Sequence, residues 1–325
     1  MPPRRFLLLA AVSLCLALAA GAQNAAWDDT MAAGMRAYRD RSYSIARTLF
    51  QQALAQAEKF GATDPRVATT LNNLGLIEHA LGNRAAASQA FERALAIVDA
   101  TLGDHPDVAT IANNLAALES EAGNPERAEA LYRRALGIRE RVLGRSHADV
   151  SIILNNLADL LRTRRRFDEA EPLYRRALAI REKAYGTADP RVATIIHNLA
   201  LLEQDRGNLG HAAANFKRAA AMQEKALGPE HPELATTLNN LGELYRQQRS
   251  YALAEPLLRR ALAIQERQGP GHEADLAAAL NNLGLLYHEQ GRYAEAEKLL
   301  RRSLEIRTKH PSVNPTRLAV TLKVL

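Results

Sequence analysis

The chain has 325 residues, of which 47% are hydrophobic and only 5% aromatic, with 42 basic and 36 acidic residues. The formal charge of +6 is small for this length, so composition gives no support to a protein built to bind polyanions. Because the one cysteine, Cys15, lies in an N-terminal apolar run, the remaining chain has no disulfide and no thiol chemistry.

The first 22 residues differ in composition from the rest of the chain. Arg4 and Arg5 precede an apolar run over residues 6–20, which an Ala-Gly-Ala triplet closes. This arrangement is typical of a secretory signal peptide cleaved between Ala22 and Gln23. A membrane anchor is disfavoured because the run is shorter than the roughly 20 residues that span a bilayer. We expect a bacterial periplasmic or secreted protein of charge +4, which contacts a membrane only through the transient signal peptide.

One short motif recurs along the rest of the chain. Variants of Leu-Asn-Asn-Leu followed by Gly or Ala occur six times, spaced by 41 residues once and then by 42. The second Asn of each motif is Asn73, Asn114, Asn156, Asn198, Asn240 and Asn282. A fixed period of this length predicts stacked copies of one supersecondary unit.

Each repeat is predicted to contain two helices. In the repeat around Asn156, apolar residues from Leu154 to Leu161 recur at i, i+3, i+4 and i+7, the spacing of an amphipathic helix. After a polar turn, apolar residues from Ala170 to Leu178 recur at i, i+4, i+7 and i+8. The repeat is therefore predicted to be a helical hairpin with a first and a second helix.

Glycine and proline mark the connections between repeats. Glycine can form a left-handed cap at the end of a second helix, and it recurs there as Gly61, Gly103, Gly144, Gly186 and Gly228. Proline is tolerated in the first turn of a helix, and four pairs predict where first helices begin: Asp64-Pro65, His105-Pro106, Asp189-Pro190 and His231-Pro232. We expect Asp to be a good N-cap at these positions and His to be a poorer one.

These residues resemble the tetratricopeptide repeat over about residues 27–325. One copy of its pattern reads Leu238, Leu241, Gly242, Tyr245, Ala254, Leu258 and Ala261. The long period and the paired asparagines are most similar to the 42-residue, kinesin-light-chain-like subclass. The resemblance implies an all-α, right-handed superhelical solenoid of about seven full repeats plus a partial eighth. It also implies that the first helices line a concave groove.

The predicted domains are a signal peptide, 1–22, and a repeat domain, 23–325. The predicted repeats are 27–60, 67–101, 108–142, 150–184, 192–226, 234–268 and 276–308, with a partial repeat at 315–325. The first repeat is divergent because Met31 and Ala32 occupy the place of the Asn pair. Residues 318–325 match the start of an eighth first helix and are predicted to be an exposed apolar segment.

The paired asparagines are the leading candidates for the functional site. Mid-helix Asn costs on the order of 0.6 kcal/mol relative to Ala, so eleven of them require a compensating interaction. Either the amides bond neighbouring helices and fix the repeat register, or they form a ladder that pairs with the backbone of an extended peptide; both interpretations stay open and are compatible. The predicted groove residues are Asn72, Asn73, Asn113, Asn114, Asn155, Asn156, His197, Asn198, Asn239, Asn240, Asn281 and Asn282, where His197 replaces one Asn.

Two arginines one turn beyond the amides complete the predicted groove. Arg162 and Arg246 are candidates for binding an acidic peptide or a C-terminal carboxylate. Asp159 and Glu243 lie three residues earlier on the same helix face, where local ion pairs compete with a ligand. The favoured interpretation is that these acids neutralise the two arginines locally, and the charge preference of the partner stays undetermined.

Other site chemistries find little support. Arginine pairs recur on the second helices, but an acid four residues earlier favours pairing within each helix, so we expect no nucleic-acid partner. Five histidines fall in five different inter-repeat loops and cannot converge on one ion, so we expect no metal; they are His105, His147, His231, His272 and His310. No nucleophile with an adjacent base, phosphate loop or HExxH motif is present, so we expect no cofactor and no enzymatic activity.

The sequence thus predicts an exported, non-catalytic scaffold that binds extended protein or peptide segments in the groove. One alternative is a regulatory or sensor arm of a larger or split enzyme of the protease-like or signalling type. Another is a self-assembling scaffold in which residues 318–325 meet a second copy. The sequence does not identify the partner, the pathway or the oligomeric state.

Overall fold

The structure is a computed structural model that describes residues 21–269 and 271–309. The predicted partial repeat, 315–325, the self-association segment, 318–325, and nearly all of the predicted signal peptide lie outside the described residues. Within the described ranges there are fourteen α-helices, one 3-10 helix at Glu58–Phe60 and no strand. The α-helices are α1 Gly21–Arg39, α2 Tyr43–Ala57, α3 Pro65–Ala80, α4 Arg84–Thr101, α5 Pro106–Ala122, α6 Pro125–Leu143, α7 Ala148–Thr163, α8 Phe167–Tyr185, α9 Pro190–Asp205, α10 Leu209–Leu227, α11 Pro232–Gln247, α12 Tyr251–Glu266, α13 Glu273–Glu289 and α14 Tyr293–Lys309.

The helices belong to two compact units divided after Leu160, within α7. In the N-terminal unit, α1 packs on α2, α3 on α4 and α5 on α6. In the C-terminal unit, α9 packs on α10, α11 on α12 and α13 on α14. Second helices also pack on the first helix that follows within the same unit, as α4 does on α5 and α12 on α13. The predicted all-α repeat fold is therefore confirmed, with the odd-numbered helices as first helices.

Small residues allow the two helices of a pair to approach closely. A Cβ atom added to Gly75 would lie 2.7 Å from the ring of Phe91, and one added to Gly242 would lie 2.7 Å from the Leu258 side chain. Since real Cβ contacts are longer, glycine is required where α3 crosses α4 and where α11 crosses α12. This accounts for the glycine in these repeats, whereas the repeats of Asn114, Asn156 and Asn198 have alanine at the same position.

The predicted N-caps are formed, some by aspartate and some by histidine. Asp64 and Asp189 accept a hydrogen bond from the backbone N–H two residues later, at 2.9 and 2.8 Å. His105 and His231 accept the equivalent bond through Nδ1, at a longer 3.2 Å. The acceptor is nitrogen in the histidine caps and oxygen in the aspartate caps, so the expected difference in cap strength stays a prediction.

The glycines after the second helices differ in one respect from the prediction. Gly144, Gly186 and Gly228 have φ of 85°, 83° and 92°, as a left-handed cap requires, but their ψ values are 152°, 159° and 164°. This extended region at positive φ is accessible essentially to glycine alone. The loops therefore need glycine more strictly than the predicted cap does.

Candidate functional site

The predicted groove residues lie on one side of the first helices, which we term the first-helix face. Ten of the eleven asparagines are buried, while Asn198 and His197 are half-buried. The buried set is Asn72, Asn73, Asn113, Asn114, Asn155, Asn156, Asn239, Asn240, Asn281 and Asn282. Buried amides need hydrogen-bond partners, so the contacts of these side chains decide what they do.

In the N-terminal unit the amides bond to one another between repeats. Asn114 Nδ2 donates to Asn72 Oδ1 at 3.0 Å, which joins α5 to α3. Asn156 Nδ2 donates to Asn113 Oδ1 at 3.1 Å, which joins α7 to α5. In each bond the second Asn of one motif donates to the first Asn of the preceding motif. We term this series the amide ladder, and its geometry fixes the register between neighbouring first helices.

The ladder continues in the C-terminal unit, where a histidine takes one Asn position. Asn282 Nδ2 donates to Asn239 Oδ1 at 3.1 Å. Asn240 Nδ2 lies 3.2 Å from His197 Nε2, and His197 Nδ1 lies 2.9 Å from Thr237 Oγ1. Since the Asn nitrogen can only donate, Nε2 accepts and the proton on Nδ1 is directed at the threonine. The imidazole therefore reproduces the acceptor of the missing amide.

The ladder has an unpaired member beside the divergent first repeat. Neither Nδ2 nor Oδ1 of the buried Asn73 has a hydrogen-bond partner. The preceding first helix offers Met31 where later repeats have the acceptor Asn, and a thioether is only a weak acceptor. Met31 Sδ lies 3.6 Å from Thr70 Oγ1 instead. The substitution in the first repeat thus leaves a buried amide unsatisfied, which costs about 1–3 kcal/mol.

The two predicted groove arginines are held by carboxylates. Arg246 bonds Glu243 on its own helix at 2.7 and 2.8 Å, as the sequence predicts, and this contact raises the pKa of Arg246. Arg246 also bonds Glu289 of the next first helix, and Arg162, which is buried, bonds Asp205 in the same way. These inter-repeat bonds were not predicted, because the partners are 43 residues apart. Equivalent pairs are His79–Glu121 at 2.8 Å and Gln204–Gln247 at 3.3 Å.

One position of the first-helix face is half-buried in four successive repeats. These residues recur at 42-residue intervals as Asp159, Leu201, Glu243 and Leu285, whereas Leu76 and Ala117 at the same repeat position are buried. A surface depression of about 500 Å³ adjoins this row at the ends of α11 and α13. It is lined by Arg246, Gln247, Arg249, Tyr251, His288 and Glu289.

The arginine pairs lie on the opposite side of the repeats, which we term the second-helix face. The first arginine of each pair bonds the acid four residues earlier, as predicted, in Arg133–Glu129, Arg175–Glu171, Arg259–Glu255 and Arg301–Glu297. The second arginine bonds the preceding second helix instead, in Arg134–Asp99, Arg260–Glu224 and Arg302–Glu266. Three of the four pairs therefore have one partner within their helix and one in the neighbouring repeat.

Two further features are absent from the described residues. Between residues 21 and 309, apart from residue 270, no three His, Cys, Asp or Glu side chains are grouped so that they could ligate a metal ion. Over the same residues, no helix combines the length and the apolar character required to cross a bilayer.

Sequence comparison identifies the repeats. The model of the tetratricopeptide repeat family matches residues 31–100, 91–141, 107–183, 191–267 and 246–309. Among functionally curated proteins, none matches the sequence of this chain.

Solved structures are similar in fold at low sequence identity. The kinesin light chain nearly identical TPR-like repeats of Podosopora anserina are 24% identical, with a TM-score of 0.52 over 63% of this chain and 99% of that one. A tetratricopeptide repeat protein of Parabacteroides merdae is 17% identical, with a TM-score of 0.62 over 92% and 98%. A Rap protein complexed with competence and sporulation factor is 14% identical, with a TM-score of 0.66 over 89% and 77%.

Proposed function

Because this chain belongs to the tetratricopeptide repeat family, we propose that it is an exported, non-catalytic scaffold that binds extended peptide segments on its first-helix face. Tetratricopeptide repeats form surfaces for protein–protein interaction, and a stack of like units offers one long surface rather than one reactive pocket. Affinity comes from many modest contacts, each supplied by a different repeat.

The observation that carries the proposal is the row of half-buried side chains in the C-terminal unit. Leu201, Glu243 and Leu285 occupy the same position on three successive first helices. The amide ladder holds these helices in register, so the row has a fixed spacing suited to an extended chain. Apolar positions on either side of a charged one give a partner both buried area and orientation.

The proposal assigns the amides a supporting role. In the structure the ladder amides bond one another, which favours the first of the two interpretations that the sequence leaves open. Direct bonding between these amides and a peptide backbone stays a prediction. The Rap complex supports the general idea, since a protein of similar fold holds a separate factor.

A peptide-library experiment tests the proposal. Random 12-residue peptides displayed on phage are selected against the full chain, and the enriched peptides are synthesised. A photo-crosslinking amino acid is placed at position 201, 243 or 285, and in matched controls at Glu297 or Arg301 on the second-helix face, which are exposed. We expect crosslinks from the three first-helix positions only. Failure to enrich any peptide, or crosslinks mainly from the controls, would overturn the proposal.

Export is tested separately. We expect the chain expressed in a Gram-negative host to fractionate with the periplasm and to begin at Gln23, as read from the intact mass. Retention of residues 1–22 in the cytoplasmic fraction would contradict the proposed export and leave the binding proposal in place.

A further inference from the structure

One turn position carries an unusual residue in three of the seven repeats. Among the described residues, those other than glycine with positive φ are Arg41, Arg165 and Arg249, at 57°, 61° and 57°. The other repeats have glycine at the equivalent turn, as Gly82, Gly123, Gly207 and Gly291. A residue with a Cβ atom is sterically disfavoured in this conformation, and arginine lacks the short polar side chain that lets Asn and Asp adopt it more readily. Glycine is therefore the residue that folding alone favours here.

Each strained arginine is followed two residues later by an aromatic residue. The companions are Tyr43, Phe167 and Tyr251. The Arg165 guanidinium carbon lies 5.4 Å from the centre of the Phe167 ring. The three turns thus share the order arginine, any residue, aromatic residue, and at Arg165 the cation and the ring lie within cation–π distance.

Arg249 is the member of this set that lines the surface depression. Of the two arginines in the lining, Arg246 is bound by Glu243 and Glu289. Arg249 is exposed, and within the described part of the chain its guanidinium takes part in no ion pair or hydrogen bond. Tyr251 and His288 add aromatic walls beside it. The depression therefore offers one unneutralised cation next to two rings.

We propose that this depression, which we term the turn-edge subsite, takes an acidic side chain of a bound segment, with Arg249 as the anchoring cation. The inference rests on the proposed function and adds a subsite beyond the amide-bearing positions. A carboxylate can form two parallel charge-assisted bonds with a guanidinium. Arg246 binds Glu289 and thereby reduces its repulsion of the incoming acid, although Arg246 is shared with Glu243, so Arg249 is, among the described residues of the lining, the one cation that no carboxylate holds. In this proposal arginine replaces glycine at this turn because binding requires the cation, although the substitution costs stability.

The turn supplies an unusually direct variant. Arg249→Gly removes the cation and relieves the strain, since four equivalent turns already contain glycine. Its melting temperature is expected to equal or exceed that of the unchanged chain. Arg249→Lys keeps the charge but not the planar fork. Arg302→Ala is the matched control, because it removes one positive charge from an ion pair on the second-helix face.

Binding is measured by fluorescence anisotropy at low salt with three labelled 12-residue probes. The first alternates glutamate and serine, the second alternates glutamine and serine, and both end in an amide. The third is the glutamine probe with a free C-terminal carboxylate. We expect the full chain to bind the glutamate probe more tightly than the other two probes. Arg249→Gly should lower the affinity for the glutamate probe about tenfold or more, whereas Arg302→Ala should change that affinity less than about twofold. Arg249→Lys is expected to fall between them.

Several results would overturn the turn-edge subsite. One is an equal loss of affinity for the glutamate probe in Arg249→Gly and Arg302→Ala. The others are no preference of the full chain for the glutamate probe and a melting temperature clearly lowered by Arg249→Gly. Dependence on Arg249 for the free-carboxylate probe alone would overturn the assignment to an acidic side chain. If library peptides still crosslink to the first-helix face, such results remove the subsite and leave the proposed function standing; if no peptide binds at all, the proposed function fails first.

Discussion

The first-helix face and the second-helix face join the same repeats by opposite means. On the first-helix face, Asn114 bonds Asn72 through neutral groups that are buried. On the second-helix face, Arg134 bonds Asp99 between side chains that are 43% and 36% exposed. Water competes little with the buried bond and strongly with the exposed ion pair. The amide ladder should therefore determine stability and register, while the ion pairs keep the outer surface charged and soluble.

Breaking the amide ladder should have the largest effect on the free energy of unfolding. Asn114→Leu removes the donor to Asn72 and leaves that buried oxygen unpaired, so we expect a loss of about 1–3 kcal/mol in the free energy of unfolding. Asn73→Leu is the matched control, because the side chain of Asn73 has no partner to lose. We expect that variant to be neutral within about 0.5 kcal/mol, or more stable than the unchanged chain.

A local reporter allows both variants to be measured. Trp27 is the chain's one tryptophan, and its Nε1 donates to Thr70 Oγ1 of α3 at 3.0 Å. Urea unfolding followed by tryptophan fluorescence therefore reports on the repeats that contain Asn72 and Asn73. Equal destabilisation by the two leucine variants would show that the ladder bonds contribute nothing beyond the cost of an amide-sized change in packing.

The histidine in the ladder should give a smaller effect, since it is half-buried. His197→Leu removes the acceptor of Asn240 and the partner of Thr237, and we expect a loss of about 1 kcal/mol. His197→Asn restores the residue that other repeats have there and should recover part of that loss. Hydrogen exchange of α9 and α11 amides is the suitable measurement, because stacked repeats open locally. Equal protection in the two variants would contradict the proposed acceptor role.

The extent to which the sequence predicts this structure depends on whether a contact is periodic and local. Hairpins, turns and the i, i+4 pair of Arg133 with Glu129 follow from spacing alone. The partner of Arg134 does not, because Asp99 is 35 residues away and its proximity depends on how closely second helices stack. The burial of the amides and the strain at Arg249 also escape the pattern: a period locates the positions but gives neither their depth nor their dihedral angles.

Removing a half-buried ion pair should reduce the free energy of unfolding by still less, and the reduction should depend on pH. Arg206 bonds Glu171, and that hydrogen bond is the main reason that the pKa of Glu171 is lowered. A lowered pKa means that the pair stabilises the fold above the ordinary glutamate value of about 4.3 and that this contribution is lost as the pH falls below it. We expect Arg206→Ala to cost about 0.5–1 kcal/mol at pH 7 and nearly nothing at low pH. The Asn114→Leu variant, which changes only neutral groups, should show no such dependence, which chemical denaturation at two pH values can check.

Removing an ion pair of the exposed second-helix face should have the smallest effect on the free energy of unfolding. Arg134→Ala removes the bond to Asp99, and we expect a loss below about 0.5 kcal/mol because both side chains are well solvated. Since salt screens exposed charges within a few ångströms at about 1 M, the loss should disappear there, while that of Asn114→Leu should persist. Urea titrations of both variants at low and high salt measure the contrast. If Arg134→Ala cost as much as Asn114→Leu and did so at both salt concentrations, the outer ion pairs would share the structural role assigned here to the amides.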